Sequence, residues 1–165
     1  MKILLILSLV MITSACVKKQ TTKYSDPSEG DLANIEFVTA GIGGPLIGIF
    51  QEHETCSKRA FSRMSPKSKS KTHKVKTSSP LSFSYTYVLY ADHRGSALCE
   101  NFATFKPKPN AHYKIRAKNS LDKCSLNIYS VEDGSESKID FIKRTKTTPW
   151  SDDGSWCEAE NLGEL

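Results

Sequence analysis

Helical periodicity of any useful length is missing from this sequence, and its absence leaves short alternating segments as the only secondary-structure signal. Catalytic signatures are missing too. There is no Gly-x-Ser-x-Gly, no His-Glu-x-x-His and no Cys-x-x-Cys, and the four histidines are scattered. Nucleophilic hydrolysis, zinc peptidase chemistry and thiol redox chemistry therefore have no motif to rest on. The glycine-rich run Gly41 to Phe50 lacks both a Gly-Lys-Ser/Thr ending and a Gly-x-Gly-x-x-Gly. It reads as a turn at Gly43-Gly44-Pro45 feeding a strand from Leu46 to Gln51, not as a phosphate cradle. His53-x-x-Cys56 could open a metal site, but no second ligand pair of zinc-like spacing follows. The expectation is a protein that is not an enzyme and that holds no metal or cofactor.

The one long apolar run is at the N-terminus. Met1 to Ala15 has a lone Lys2, an apolar stretch Ile3 to Ile12 and the small residues Thr13, Ser14 and Ala15. That is the pattern of a signal peptide, too short to span a bilayer as a mature helix. Ile-Thr-Ser-Ala-Cys resembles a bacterial lipobox, which makes Cys16 the expected acylated N-terminus, carrying palmitate-type chains. Val17 is not the Asp that retains such lipoproteins in the inner membrane, so the expected location is the outer membrane. Val17 to Asp31 is polar and turn-rich, and reads with Cys16 as a flexible tether over residues 16–31.

Removing residues 1–15 leaves 150 of the 165, enough for one domain over 32–165. Besides Cys16 the exported chain keeps Cys56, Cys99, Cys124 and Cys157, an even number that reads as two disulfides in an oxidising compartment. Three pairings are possible. Positions at the openings of strands favour Cys99 with Cys124, leaving Cys56 with Cys157. Two cysteines flanking one middle strand would stand about 9.6 Å apart, too far to bridge, so one of the first pair belongs at a strand end or in a facing sheet.

Charge is segregated. Lys58 to Lys76 holds eight Lys and Arg and no Asp or Glu, whereas the whole chain is only +5. Loss of Lys2 makes the mature chain +4, so the remainder is −4 (4 − 8). The segment reads as a mobile basic loop near 58–76, with Lys67, Lys69, Lys71 and Lys74 the candidate anion-binding residues. The tail from Ser151 has acidic residues and no basic one, and is expected to be pinned to the domain around Trp156-Cys157.

Alternation of period two runs through the rest. Ala33, Ile35 and Phe37 share one parity. Leu81, Phe83, Tyr85, Tyr87 and Leu89 oppose Ser82, Ser84 and Thr86, the pattern of a half-buried strand. Cys124, Leu126 and Ile128 alternate likewise, Glu132-Asp133-Gly134 makes a turn, and Ile139, Phe141 and Lys143 form a last long strand. Seven or eight short strands predict an antiparallel β-sandwich, immunoglobulin-like or transthyretin-like.

Between Cys99 and Cys124 lie a strand with Ala103 and Phe105, a break at Pro107 and Pro109, and a strand with Tyr113, Ile115 and Ala117 alternating with His112, Lys114 and Arg116. Neither proline can donate to a ladder, and Asn110 tolerates a left-handed backbone, so a hairpin turn is expected there. Cys99, Phe105, Pro107, Tyr113 and Cys124 resemble the Cys, Phe-x-Pro-x-x-Gly-x-x-Tyr, Cys pattern of small Gram-negative outer-membrane lipoproteins, with Asn110 at the family's Gly. The resemblance covers about a third of the chain and implies an envelope location but no activity. Two functions are expected from all this. One is a structural or binding lipoprotein anchored in the membrane by its lipid, whose basic loop meets lipopolysaccharide or another anionic envelope component. The alternative is a module that binds an envelope protein, as an inhibitor, immunity protein or secretion-system component. Nucleic acid is not an expected partner.

Overall fold

A computed structural model of the chain describes residues 22–38, 42–93, 95–120, 123–151 and 153–159. The expected signal peptide and Cys16 lie outside the described residues. Ten strands form two five-stranded sheets: β1 (Leu32–Val38), β2 (Ile42–Glu52), β3 (Ser57–Arg63), β4 (Ser70–Lys76), β5 (Leu81–Asp92), β6 (Gly95–Phe105), β7 (His112–Ser120), β8 (Lys123–Glu132), β9 (Ser135–Ile139) and β10 (Ile142–Lys143). One sheet has the order β10-β6-β5-β2-β3 and the other β4-β1-β7-β8-β9. All pairs are antiparallel except β1 with β7. The fold is the all-β sandwich expected, with ten strands where seven or eight were counted.

Inward parities of both sheets meet in one core. Ile35 and Phe37 of β1, Ile47 of β2, Phe83 and Tyr85 of β5, Ile115 of β7 and Ile128 of β8 are fully buried. Phe37 stacks on Tyr85 at 6.2 Å and meets Phe83 edge-on at 5.6 Å. The Tyr85 phenol donates to the Val38 carbonyl at 2.8 Å, so this aromatic is buried without an orphaned hydroxyl.

Several elements depart from the sequence expectation. The break at Pro107 and Pro109 is a crossing, not a hairpin: β6 belongs to one sheet and β7 to the other. The prolines explain this, since they end the ladder before the chain can fold back on its own strand. Asn110 does take the left-handed backbone, with φ 60°, and its N–H donates to the Leu32 carbonyl. Phe105 packs against Tyr113 at 5.0 Å, and the Tyr113 hydroxyl accepts the Lys108 N–H.

Gly43-Gly44-Pro45 lies within β2, where the pairing with β5 shifts register between Ile42 and Leu46. A Cβ at Gly44 would stand 1.9 Å from the Met64 carbonyl oxygen, so close backbone approach is what requires glycine there. The last long strand is two short ones, because the chain leaves one sheet after Ile139 and joins the other at Ile142.

Both disulfides follow from this layout. Cys99 lies inside β6, not at its opening, and faces Cys124 of β8 across the core, with Cα atoms 5.6 Å apart. It is an inter-sheet bridge. Cys56 joins Cys157, with Cα atoms 5.4 Å apart.

The outer face of the β5 sheet, read from alternation as solvent-facing, is covered. Ser82, Ser84 and Thr104 are buried, and Phe50, Cys56, Phe102 and Cys157 form a second cluster with Trp156 packed on it. Arg144 holds the covering segment down. Its guanidinium donates to the carbonyls of His53, Glu54 and Glu158 and to the Thr104 hydroxyl. The Trp156 and Cys157 amides both reach the Thr55 carbonyl.

Candidate functional site: a basic edge closed by the N-terminal segment

The expected loop of residues 58–76 is mostly strand. β3 and β4 occupy its two ends, and only residues 64–69 link them. Alternating buried positions, Ala60 and Ser62 on β3 and His73 and Val75 on β4, face inward, so each strand completes one sheet. β3 is the edge of the first sheet and β4 the edge of the second. The basic segment is therefore one side of the sandwich, which long like-charged composition does not reveal.

This geometry separates the four candidate lysines. Lys67 and Lys69 are exposed on the link. Lys71 takes the inward parity at the rim and its Nζ donates to the Arg63 carbonyl at 3.1 Å. Lys74, with Lys76, points outward from the second sheet. Two other cations are engaged within the fold. Lys58 pairs with Glu52 at 2.6 Å, and this hydrogen bond lowers the carboxyl and raises the ammonium from their ordinary values. The Arg59 guanidinium lies 4.2 Å from the Phe61 ring and 3.4 Å from the Trp156 ring, a cation–π sandwich.

A second departure explains why the edge is not open. The flexible tether was expected to run to Asp31, yet residues 22–31 follow the edge. Thr22 accepts the Phe61 N–H and Tyr24 donates to the Phe61 carbonyl, both at 2.8 Å, a short parallel addition to β3. The Tyr24 phenol then donates to the Lys74 carbonyl on β4 at 2.7 Å, and Thr77 donates to the Asp31 carbonyl. One tyrosine thus spans both edge strands. Burial first, and then the nearby Asp26 charge, push its phenol up to about 12. Edge strands expose unpaired backbone groups, and this segment satisfies those of Phe61 and the carbonyl of Lys74.

Beneath it sits a relay that sequence reading did not find. Asp26 Oδ1 lies 2.6 Å from His73 Nδ1, and His73 Nε2 lies 2.7 Å from Ser62 Oγ. If Nδ1–H donates to the carboxylate, Nε2 accepts the serine hydroxyl. The order of groups is that of a nucleophile, base and acid. Its setting is different: Ser62 is only 4% exposed, on the inward parity of β3, and His73 is wedged against the Tyr24 and Phe37 rings at 5.1 and 6.3 Å. The relay ties one sheet to the other and both to the N-terminal segment. No sequence signal marked it, because its members are 36 and 11 residues apart in the chain.

Beside the relay opens a cleft of about 620 Å³. Lys23 of the N-terminal segment, Arg63 of β3 and Lys71 of β4 line it, with Thr22, Leu46, Phe61 and the relay's Ser62, and no acidic residue is among the described residues of its wall. The outer face of the β7 sheet is electrostatically different. There Lys114 contacts Glu36 at 3.4 Å and Glu136 at 3.0 Å, and Arg116 contacts Glu136 at 2.7 Å, so these four charges are paired. Among the described residues no group of three or more His, Cys, Asp or Glu side chains is placed to hold a metal ion.

The fold and site define a disulfide-braced β-sandwich with a cationic, tether-covered edge. No protein-family model, curated protein or solved structure matches this chain.

Proposed function

We propose that the protein is an outer-membrane lipoprotein, anchored through Cys16, whose cationic edge associates with anionic components of the envelope in a non-enzymatic structural or binding role. The observation that carries this reading is the path of residues 22–31 along the basic side of the sandwich. Only residues 17–21 separate Cys16 from Thr22, a reach of about 20 Å at full extension. A lipid on Cys16 would hold the edge bearing Lys23, Arg63, Lys67, Lys69 and Lys71 next to the membrane surface. Each such cation contributes on the order of 1 kcal/mol near an anionic leaflet. The Phe105, Pro107, Tyr113 resemblance supports the same envelope assignment, since those residues build one packed crossing between Cys99 and Cys124.

The test has two arms. Cys16→Ser should release the protein from membranes or block its processing. Lys67→Gln, Lys69→Gln and Lys71→Gln together should leave the fold intact and weaken association of the unlipidated mature chain with lipopolysaccharide at low salt. Unchanged membrane fractionation, or unchanged binding, contradicts the corresponding half.

A second reading, recognition of an envelope protein, draws on Trp150 and Leu98, large apolar side chains exposed among the described residues. Aromatic anchors of this kind are enriched at protein interfaces. Binding through them would be insensitive to salt, whereas attraction to the cationic edge would weaken steeply.

A further inference from the structure

We infer that the cleft between β3, β4 and the N-terminal segment is a headgroup site for a phosphate-bearing anionic membrane lipid, taken with the sandwich lying edge-down. The inference rests on the membrane-anchored reading above and assigns it a specific pocket.

Three separate elements deliver one cation each to the cleft: Lys23, Arg63 and Lys71. They cannot relax apart freely. The ladder between Thr22, Tyr24 and Phe61 fixes the segment carrying Lys23 against β3, and the Lys71 ammonium is held to the Arg63 carbonyl. Convergent like charges repel one another unless an anion sits among them, so a cleft of this composition attracts one. Arg63 supplies a planar fork suited to phosphate oxygens, and the two lysines supply mobile point charges.

The apolar residues of the wall decide between a soluble anion and an amphiphile. Leu46 and the Phe61 ring are half-buried, and each leaves apolar surface at the cleft. A free phosphate would leave that surface wet, whereas the glycerol and first methylenes of a lipid would cover it. Position argues the same way. Thr22, the described residue nearest the anchor in sequence, is itself part of the cleft wall, so the pocket lies where the tether leaves the domain. A tethered site meets its ligand at high effective concentration, so even weak affinity fills it.

The test uses the mature chain carrying Cys16→Ser, floated with vesicles of phosphatidylglycerol or of phosphatidylcholine. The cleft variant is Lys23→Gln, Arg63→Gln, Lys71→Gln. A charge-matched control is Lys108→Gln, Lys138→Gln, Lys143→Gln, which alters exposed positions outside β3 and β4. Partition onto phosphatidylglycerol is expected to fall on the order of 100-fold in the cleft variant, three charges at the usual surface contribution, and much less in the control. Equal losses in the two variants would overturn the cleft and leave only an attraction spread over the whole surface. No loss in either would overturn both. Should the triple variant fold poorly, Lys23→Glu alone, on the exposed segment, is expected to weaken binding in the same direction, and unchanged binding contradicts the site. Inorganic phosphate, compared with chloride at equal ionic strength, should compete weakly; full displacement by phosphate alone would make the ligand a free anion and overturn the lipid assignment.

Discussion

Asp26 and His73 meet at 2.6 Å across 47 residues of chain, and through that contact the N-terminal segment is made part of the sandwich. The contact does not stand alone. Tyr24 reaches the Lys74 carbonyl from two residues earlier, so two side chains hold β4 while the backbone holds β3.

Removing these ties should free the segment without unfolding the domain. Tyr24→Phe with Asp26→Ala is expected to cost about 1 to 3 kcal/mol locally, from hydrogen bonds lost beside a partly buried histidine. Hydrogen exchange at the Phe61 amide, whose acceptor is Thr22, should rise while exchange in β5 and β7 stays unchanged. Equal exchange at Phe61 in variant and parent would show that the segment is held by something else.

The same segment should respond to alkali. The Tyr24 phenol is raised to about 12 in the folded protein against an ordinary value of 10.0, so folding favours its protonated form. Its contribution is fully present below pH 10 and is lost as pH rises through about 12. Phenolate absorbance should show late titration of more than one tyrosine, since burial also raises the Tyr87 phenol, and Tyr24→Phe should remove the component near 12, with release of the segment in step. Titration of Tyr24 near 10 would contradict the packing described.

The two disulfides should differ in what they protect. Closing the 25-residue separation of Cys99 and Cys124 is worth about 3.5 kcal/mol in the chain-entropy model, and the 101-residue separation of Cys56 and Cys157 about 4.7. Cys56→Ser with Cys157→Ser is expected to expose Trp156 to solvent quenchers, and Cys99→Ser with Cys124→Ser to lower the melting temperature with Trp156 unchanged. Trp156 quenching equally in both would mean that the covering segment does not depend on its own bridge.

Much of this architecture was legible because its signals are local. Period-two alternation located the aromatic strand at Leu81, and Asn110 marked a left-handed turn from its own chemistry. What escaped was every feature that depends on which sheet a strand joins. The Pro107 and Pro109 break looks the same in a hairpin and in a crossing. Ser82 and Ser84 read as solvent-facing because nothing in their neighbourhood announces a segment sixty residues later lying over them. The lysines of 58–76 outnumber the inward Ala60, Ser62, His73 and Val75, so composition masked two edge strands. Ser62, His73 and Asp26 come together only after both sheets are stacked.

The relay they form should be structural in its behaviour. Ser62 contributes to the cleft wall but is only 4% exposed, so it offers an electrophile little surface to approach. A fluorophosphonate probe is expected to leave Ser62 unmodified, while Ser62→Ala and His73→Phe loosen the edge as measured by exchange at Phe61. Stoichiometric modification of Ser62, dependent on His73, would instead make it a nucleophile and require the site to be reassigned.

The orientation of the sandwich, basic edge toward the membrane, is read directly by lysine acetylation of the protein in its own membranes. Compared with detergent-solubilised protein, Lys23, Lys67, Lys69 and Lys71 on the β3 and β4 side are expected to be protected, while Lys138 of β9 and Lys143 of β10 on the opposite side react equally in both. Uniform reactivity, or protection confined to Lys138 and Lys143, would contradict it.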